Sequence, residues 1–339
     1  MKSWQVTAPK TMIEGDFSEE ITSVSSAKVK ITKALLNRSD VFACLEPENV
    51  STNIPGSFGV GVITEASEHC FGMEKNARVY INPFTYCNGC PRCKVSDFAN
   101  CPDVKAAGKD FPGFLREFGV FPASQLYVLP DSVDETAAVF IDYIALALRV
   151  IDTLDINKGD HVAVLGGKTL GNILCQLIMY YQGVPILIDS DEENVELCKQ
   201  LGVYYTAEAG YTAAKQISAI TSGRMADKAV YTCDPKVDPK LAFQLVGHGS
   251  KIAFAGFDFG PIRLNFNTAM EKQLIVYALT NGIGNISSAI NLLANKAVNV
   301  KEIAKRSAEF SAVGNVLKEQ AEKVEREEKI LPVIVNLMN

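Results

Sequence analysis

The spacing of apolar and polar residues changes character near Leu154. Before that point, short apolar runs rich in β-branched residues alternate with Pro and Gly, which is typical of strands joined by turns. The clearest runs are VKITKALL, GVGVIT, ARVYI and QLYVLP. The sequence therefore predicts a β-rich domain in the first part of the chain.

After Leu154 the pattern alternates between strands and helices. The runs HVAVLGG, PILIDS, DKAVYTCD and KIAFAGFD have the apolar character of buried strands, whereas TLGNILCQLIMYYQG and EENVELCKQLG have helical periodicity. This alternation predicts an α/β domain with a doubly wound parallel sheet. A further β-branched run, KQLIVYALT, predicts a strand late in that sheet.

A glycine-rich turn joins the first of these strands to its helix. Such a turn presents free backbone N–H groups and the positive end of the helix dipole to a pyrophosphate. The next strand ends at Asp189, where a carboxylate can accept hydrogen bonds from an adenosine ribose and would repel a 2′-phosphate, so NAD(H) is favoured over NADP(H). The predicted cofactor-binding residues in this domain are Gly166, Gly167, Lys168, Thr169, Leu170, Gly171 and Asp189.

Lys168 makes this turn unusual. It stands where the G-x-G-x-x-G motif has its central glycine, so its side chain either crowds the phosphates or places an ammonium against them. The glycines also have a structural reason to be present, because a tight turn and close packing of helix on strand require them. A turn without a ligand therefore stays open as an alternative.

Four cysteines predict a metal site in the first domain. Cys87, Cys90, Cys93 and Cys101 have the spacing C-x2-C-x2-C-x7-C. Four thiolates within fifteen residues suit a tetrahedral structural zinc with no open position. An iron–sulfur cluster is an alternative. Paired disulfides are another, but the nine cysteines are an odd number and the start of the chain has no secretory apolar region.

Composition and charge exclude several classes of protein. The chain has 339 residues, of which 47% are hydrophobic and 21% charged, enough for two domains with their own cores. The net charge of −6 argues against a nucleic-acid partner. The longest apolar stretches are too short to cross a membrane. We therefore expect a cytoplasmic protein with a small-molecule substrate.

Together these motifs resemble the medium-chain dehydrogenase/reductase superfamily, whose zinc-dependent alcohol and polyol dehydrogenases carry the same cysteine lobe. The resemblance implies an α/β protein with a GroES-like β domain over residues 1–147, containing a zinc lobe at about residues 83–105. It implies a Rossmann domain over residues 148–285 and a C-terminal segment, residues 286–339, that returns to the first domain.

The sequence departs from the zinc enzymes at the catalytic metal. Where they have a ligand Cys in a motif like C-x-S-D, this chain reads Asn37-Arg38-Ser39-Asp40; where they have a ligand His in G-H-E, it reads Gly56-Ser57-Phe58. The third ligand position matches Asp142, which would stand alone. A site rebuilt on Asp142 with Cys44 and Cys70 is an alternative, since the chain has only three histidines, His69, His161 and His248.

The run LLNRSDVF is similar to zinc-free quinone oxidoreductases and enoyl reductases, in which an Asn often occupies the Cys position. The resemblance implies that Ser39 relays the substrate proton and that Arg38 reaches the cofactor pyrophosphate. Asn37 is a candidate donor to a substrate oxygen, and Tyr143, beside Asp142, is a candidate proton donor. For Asn37, Ser39 and Tyr143, a locally satisfied polar group is an equal alternative.

Three functions remain open from the sequence. The first is an NAD(H)-dependent oxidoreductase without catalytic zinc, acting on an activated carbonyl, enone, quinone or similar small molecule. The second is a zinc-dependent alcohol or polyol dehydrogenase with rewired ligands, and the third is a non-catalytic dinucleotide-binding subunit. The resemblance also implies a homodimer or homotetramer that pairs the strand KQLIVYALT across a twofold axis.

Overall fold

The computed structural model describes residues 1–21, 23–47, 52–257, 262–326, 328 and 330–337. The chain divides into two compact units, one made of Met1–Ile141 with Ile303–Asn339 and the other of Asp142–Glu302. These divisions differ from the predicted ends at residues 147 and 285. The second unit extends beyond residue 285 because residue 299 belongs with it. The backbone N–H of residue 299 donates to Gln176 Oε1 at 2.7 Å, and its carbonyl accepts from Gln176 Nε2 at 3.1 Å.

The described strands and helices are numbered in chain order. The strands are β1 (Lys2–Ala8), β2 (Thr11–Asp16), β3 (Ser26–Leu36), β4 (Phe58–Ala66), β5 (Arg78–Ile81), β6 (Phe84–Thr85), β7 (Lys105–Ala106), β8 (Phe118–Pro122), β9 (Leu126–Val128), β10 (His161–Leu165), β11 (Val184–Ile188), β12 (Tyr205–Ala207), β13 (Ala226–Tyr231), β14 (Val246–Ala255), β15 (Ile275–Leu279), β16 (Ser307–Glu309) and β17 (Val333–Asn336). The helices are α1 (Arg38–Leu45), α2 (Pro91–Lys94), α3 (Glu135–Ala138), α4 (Ile141–Leu154), α5 (Thr169–Tyr180), α6 (Glu192–Gln200), α7 (Ala213–Ile220), α8 (Leu241–Gln244), α9 (Asn267–Glu271), α10 (Ile286–Ala294) and α11 (Val313–Glu325).

The first unit is built around the long strand β3. It pairs antiparallel with β4, β8 and β17 within a sheet of order β16-β17-β3-β4-β5-β9. The buried side chains of β3 pack in one cluster with those of β5, β17 and α11, including Val29, Ile31, Val79, Leu317 and Val335. Each aliphatic side chain buried in this way contributes about 1.5–3 kcal/mol. The C-terminal residues of the chain therefore complete the core that the first residues begin.

The second unit is a six-stranded parallel sheet of order β12-β11-β10-β13-β14-β15. Strand β10 is the first of these six strands along the chain but lies inside the sheet, so the strand order reverses between β10 and β13. Residues 162–165 of β10 are fully buried, as expected for a strand covered on both faces. The predicted α/β fold class, with a Rossmann-type doubly wound sheet, is confirmed.

Within the described residues, none of the helices combines the length and apolar character needed to cross a bilayer. The longest helix, α4, has 14 residues. A membrane-spanning helix needs about 20 apolar residues.

Candidate functional site

The glycine turn lies at the carboxyl end of β10, where the strand order reverses. In open α/β sheets this is the crevice that binds ligands. Gly166 has a φ of +95°, a conformation that side chains disfavour. A Cβ on Gly171 would lie 1.7 Å from the Gly166 carbonyl oxygen, so helix α5 packs on the turn only with glycine there. Thr169 and Leu170 are buried in the first turn of α5 and offer a ligand their backbone N–H groups.

Asp189 is fixed by three hydrogen bonds. Its Oδ2 accepts from the Gly167 N–H at 2.7 Å and from Asn194 Nδ2 at 2.9 Å, and its Oδ1 accepts from the Asp191 N–H at 2.8 Å. A carboxylate has about four acceptor positions. One position on Oδ1 therefore stays available for a ribose hydroxyl, and the carboxylate also joins the turn to the start of α6.

The side chain of Lys168 reaches across the turn to Asp234, which follows β13. Its Nζ lies 3.0 Å from Asp234 Oδ1, and the Asp234 side chain is 3% exposed. Asp234 is held in place because its Oδ1 also accepts from the Lys236 N–H at 3.1 Å and its carbonyl accepts from the Tyr231 hydroxyl at 2.9 Å. The structure thus gives the ammonium a protein partner.

These groups surround a pocket of about 400 Å³ in the second unit. Its wall carries two ammonium groups and three carboxylates, and its lining residues are Lys168, Asp189, Ser190, Asp191, Asn194, Asp234 and Lys236. The pocket combines the glycine turn, a helix N-terminus and an acidic residue at a strand end, which are the parts of a dinucleotide site. The residues present fit the adenosine and phosphate groups of NAD(H).

In the first unit, Asn37 caps the N-terminus of α1. Its Oδ1 accepts from the Ser39 N–H at 2.8 Å and the Asp40 N–H at 3.4 Å, while its own N–H donates to Asp40 Oδ2 at 2.8 Å. This is a capping box, with an Asn and an Asp as the two side chains. The side-chain oxygen of Asn37 is therefore satisfied locally, by N–H groups of the helix that it caps.

Asp40 connects this cap to the segment that contains Ser57. Its Oδ1 accepts from the Gly56 N–H and from the Ser57 hydroxyl, each at 2.9 Å, and Asp40 is 1% exposed. The Ser57 hydroxyl also lies 2.9 Å from the Ser39 hydroxyl, which in turn bonds to Asn37 Oδ1. The positions that match two zinc ligands are thus brought together in a hydrogen-bonded cluster of Asn37, Ser39, Asp40 and Ser57.

The amide nitrogen of Asn37 is the exception in this cluster. Because backbone N–H groups donate to one side-chain atom, that atom is the oxygen and the other is the –NH₂ group. This Nδ2 is buried and has no hydrogen-bond partner among the described residues. A buried donor without a partner costs about 1–3 kcal/mol, so this Nδ2 is the group of the cluster that can still donate a hydrogen bond.

The four cysteines converge as the spacing predicts. Their Sγ atoms lie within 4.8 Å of one another, with separations of 3.6 Å between Cys87 and Cys101 and 3.9 Å between Cys90 and Cys101. Tetrahedral zinc with Zn–S bonds of about 2.3 Å places sulfur atoms about 3.8 Å apart. The backbone N–H of Cys93 lowers the pKa of the Cys90 thiol to about 7, whereas burial raises the pKa of the Cys93 thiol to about 12. The lobe fits a zinc ion.

The remaining predicted site residues occupy simpler surroundings. The Arg38 guanidinium lies 4.9 Å from the centre of the Phe42 ring, one turn along α1. Asp142 is fully buried in the first turn of α4, and the Tyr143 ring meets the Phe257 ring edge-on at 5.0 Å. The predicted roles of these residues stay predictions.

The spare cysteines do not form a metal cluster with other ligands in the described part of the chain. Within those residues, the four-cysteine lobe is the one group of three or more His, Cys, Asp or Glu side chains close enough to share an ion. Cys44 donates to the Met12 sulfur at 3.6 Å, and burial raises the pKa of its thiol to about 12. The Cys70 thiol lies 3.4 Å from the Ser67 hydroxyl.

Comparison with known proteins gives this geometry a family. Residues 24–131 match the alcohol dehydrogenase GroES-like domain. An uncharacterized zinc-type alcohol dehydrogenase-like protein of Haemophilus influenzae is 23% identical over 287 residues, 83% of this chain and 84% of that protein. These similarities support the medium-chain dehydrogenase/reductase superfamily that the sequence motifs resemble. The prediction that it is an oxidoreductase of this superfamily is confirmed.

The chain is also similar to a known enzyme and to a solved structure. A sorbitol dehydrogenase of Halalkalibacterium halodurans is 26% identical over 250 residues, 72% of this chain and 73% of that enzyme. The structure of a protein described as a short chain alcohol dehydrogenase from Escherichia coli CFT073, in complex with NADH, superposes with a TM-score of 0.86 at 20% identity and covers 99% of each chain. The latter similarity shows that the fold is shared.

Sequence reasoning missed three functional contacts in this dehydrogenase. Asn194 and Asp234 were not predicted, although each follows a strand end by a few residues, which is where pocket residues of such sheets lie. Ser57 was identified as the residue that replaces a zinc-ligand His, but its hydrogen bond to Asp40 was not predicted. The contacts of Asp234 and Ser57 join residues from separate segments, so spacing along the chain carries no signal for them, whereas Asn194 lies five residues after its partner Asp189.

Proposed function

We propose that this protein is an NAD(H)-dependent oxidoreductase that works without a catalytic zinc. Its substrate would be a small activated carbonyl, enone, quinone or similar molecule. The observation that carries the proposal is the cluster at the start of α1, where Asn37 and Ser57 stand at two ligand positions and bond to Ser39 and Asp40. Neutral amide and hydroxyl groups are weak ligands for zinc compared with thiolate and imidazole.

The same cluster supplies groups that hydride transfer needs. Bound NAD(H) would donate or accept the hydride. As the substrate carbon gains hydride, negative charge develops on its oxygen, and Asn37 Nδ2 is a buried donor free to stabilise it. The Ser39 hydroxyl would pass its proton to that oxygen and regain one from water, while the Ser57 hydroxyl, held by the Asp40 carboxylate, keeps Ser39 in position.

This arrangement favours a substrate that can itself stabilise the negative charge that develops when hydride is added. Zinc contributes several kcal/mol as a Lewis acid, whereas hydrogen bonds to a neutral amide contribute less. At the start of α4, Tyr143 keeps its proposed role as a proton donor and Asp142 its role as a polar site residue. In α1, Arg38 keeps its proposed role as a ligand of the cofactor pyrophosphate. The proposal favours NAD(H) over NADP(H), because the buried Asp189 carboxylate would repel a 2′-phosphate.

We also propose one structural zinc, held by Cys87, Cys90, Cys93 and Cys101. The Sγ separations support it, and the ion would fix the loop between β6 and β7. Four free thiolates persist only in a reducing compartment, so we place the protein in the cytoplasm.

A second candidate function is a zinc-dependent alcohol or polyol dehydrogenase with rewired ligands. It is favoured by the similarity to the sorbitol dehydrogenase and to the zinc-type protein described above. It needs a second zinc site that includes residues other than Asn37 and Ser57.

Metal analysis combined with turnover separates these functions. We expect one zinc per chain, loss of that zinc in Cys93→Ser, and NADH oxidation with a panel of quinones, enones and dicarbonyls that survives mild chelation. Two zinc ions per chain, with polyol oxidation that chelators abolish, would establish the second function. NADH binding without turnover of any panel member would indicate a non-catalytic subunit.

The exposed edge of the parallel sheet leads to a prediction about assembly. Strand β15 lies at the end of the sheet, and Ile275 in it is 47% exposed. We propose a homodimer, or a homotetramer built from dimers, in which β15 pairs with its twofold mate. Sedimentation at micromolar concentration should show no monomer, and Ile275→Lys should shift the protein towards monomer because edge lysines oppose strand pairing. Ile13→Lys, at a site that is 48% exposed in β2, is the matched control. A monomeric wild type would refute the proposal.

A further inference from the structure

The pair of Lys168 and Asp234 has no counterpart in a simple glycine turn. Lys168 occupies the N-cap position of α5, where a dinucleotide places its pyrophosphate, and its ammonium lies 3.0 Å from Asp234 Oδ1. The Lys168 side chain is 20% exposed and that of Asp234 is 3% exposed. The cation thus lies at the pocket wall, with a buried carboxylate behind it.

Asp234 cannot easily withdraw from this position. Its Oδ1 accepts from the Lys236 N–H, its carbonyl accepts from the Tyr231 hydroxyl, and its Cβ lies 2.8 Å from the place a Cβ would take on Gly166. Lys168, by contrast, has a four-carbon stem with freely rotating bonds. When a ligand enters, the lysine is therefore the partner that moves.

The charges in the pocket make this pair matter for binding. A pyrophosphate brings two negative charges towards a wall that holds the carboxylates of Asp189, Asp191 and Asp234. Without Lys168, Asp234 would face the phosphates as an uncompensated buried charge, which is strongly unfavourable. With Lys168 fully engaged by Asp234, the phosphates would gain little from its ammonium.

We infer that Asp234 competes with the pyrophosphate of the dinucleotide for the ammonium of Lys168. Lys168 is then a phosphate-binding residue that replaces the missing glycine, and Asp234 sets how tightly the cofactor is held. This inference rests on the proposed binding of NAD(H). It predicts that the two residues act in opposite directions on affinity and that each acts through the other.

The test is a set of binding titrations on the full-length protein, with NADH followed by fluorescence and with ADP-ribose and adenosine followed by calorimetry. Asp234→Asn keeps the acceptor for the Lys236 N–H but frees the ammonium, so NADH and ADP-ribose should bind roughly tenfold more tightly. Lys168→Met keeps the stem without the charge and should weaken them by roughly tenfold or more. Adenosine, which has no phosphate, should bind all three proteins alike.

The double variant Lys168→Met with Asp234→Asn completes the cycle. Its affinity should lie between those of the single variants, and the gain from Asp234→Asn should be larger than in the wild type, because without Lys168 the Asp234 carboxylate is uncompensated; equal gains would mean that the two residues act independently. Unchanged or weaker NADH binding by Asp234→Asn would overturn the inference, as would tighter binding by Lys168→Met, which would mean that the lysine charge opposes the cofactor. Should Asp234→Asn not fold, the Lys168→Met result with ADP-ribose against adenosine decides. A wild type that binds neither NADH nor ADP-ribose would instead refute the proposed function.

Discussion

Replacing Asn37 with aspartate is expected to lower kcat/KM by roughly 10²–10³-fold. Aspartate caps a helix about as well as asparagine, so the bonds from the Ser39 and Asp40 N–H groups persist, but the new carboxylate lies beside the buried Asp40 carboxylate and lowers stability. What is lost is the buried Nδ2 donor, the one group in the cluster without a partner among the described residues. Steady-state kinetics with the best acceptor of the panel, alongside thermal unfolding, measures each effect.

Asn37→Ala is the matched comparison. It also removes Nδ2, so kcat should fall to a similar extent, but it additionally removes the cap and should cost about 1 kcal/mol of unfolding free energy. If Nδ2 is a catalytic donor, the two variants therefore lose activity to a similar extent but differ in stability. If Asn37→Asp retains kcat/KM within a few-fold, Asn37 is a helix cap and the role in substrate binding is refuted.

Replacing Gly171 with alanine is expected to abolish measurable NADH binding. The new Cβ would lie 1.7 Å from the Gly166 carbonyl oxygen, which is backbone and cannot rotate away. Helix α5 must therefore move off the turn, which disrupts the N–H groups that face the phosphates and lowers the unfolding free energy by about 1–3 kcal/mol. Fluorescence titration and chemical denaturation measure the two losses.

Gly210→Ala provides the control, because a Cβ there meets no atom within 4 Å. It should leave NADH affinity and stability within experimental error of the wild type. Retention of NADH binding by Gly171→Ala would show that the turn is not the cofactor site.

The parallel sheet could be predicted because its strands are buried on both faces. Residues 162–165 are all apolar, which is typical of a strand buried on both faces, and the glycines after them mark the turn. The hairpin of β1 and β2 was not predicted, since its exposed and buried positions are mixed and its pairing is set by contacts across the turn at residues 9–10. Periodicity is informative where burial is complete and weak where a strand lies at the surface.

The candidate site divides in a similar way. Asp189 and the four cysteines could be predicted because function fixes their spacing along the chain. For Lys168, the sequence left a choice between crowding the phosphates and placing a cation against them. The structure adds Asp234, 66 residues further along the chain. The bond between Ser57 and Asp40 likewise depends on the fold bringing two segments together, and no local pattern records it.

The hydrogen bonds of Asp189 limit any redesign of the proposed NAD(H) preference. An exchange towards NADP(H) would normally begin by replacing the acidic residue with a neutral or basic one. Here that carboxylate also holds the Gly167 N–H, the Asn194 amide and the Asp191 N–H. Its removal would release the turn and the start of α6 together, so a successful redesign must first give these donors new acceptors.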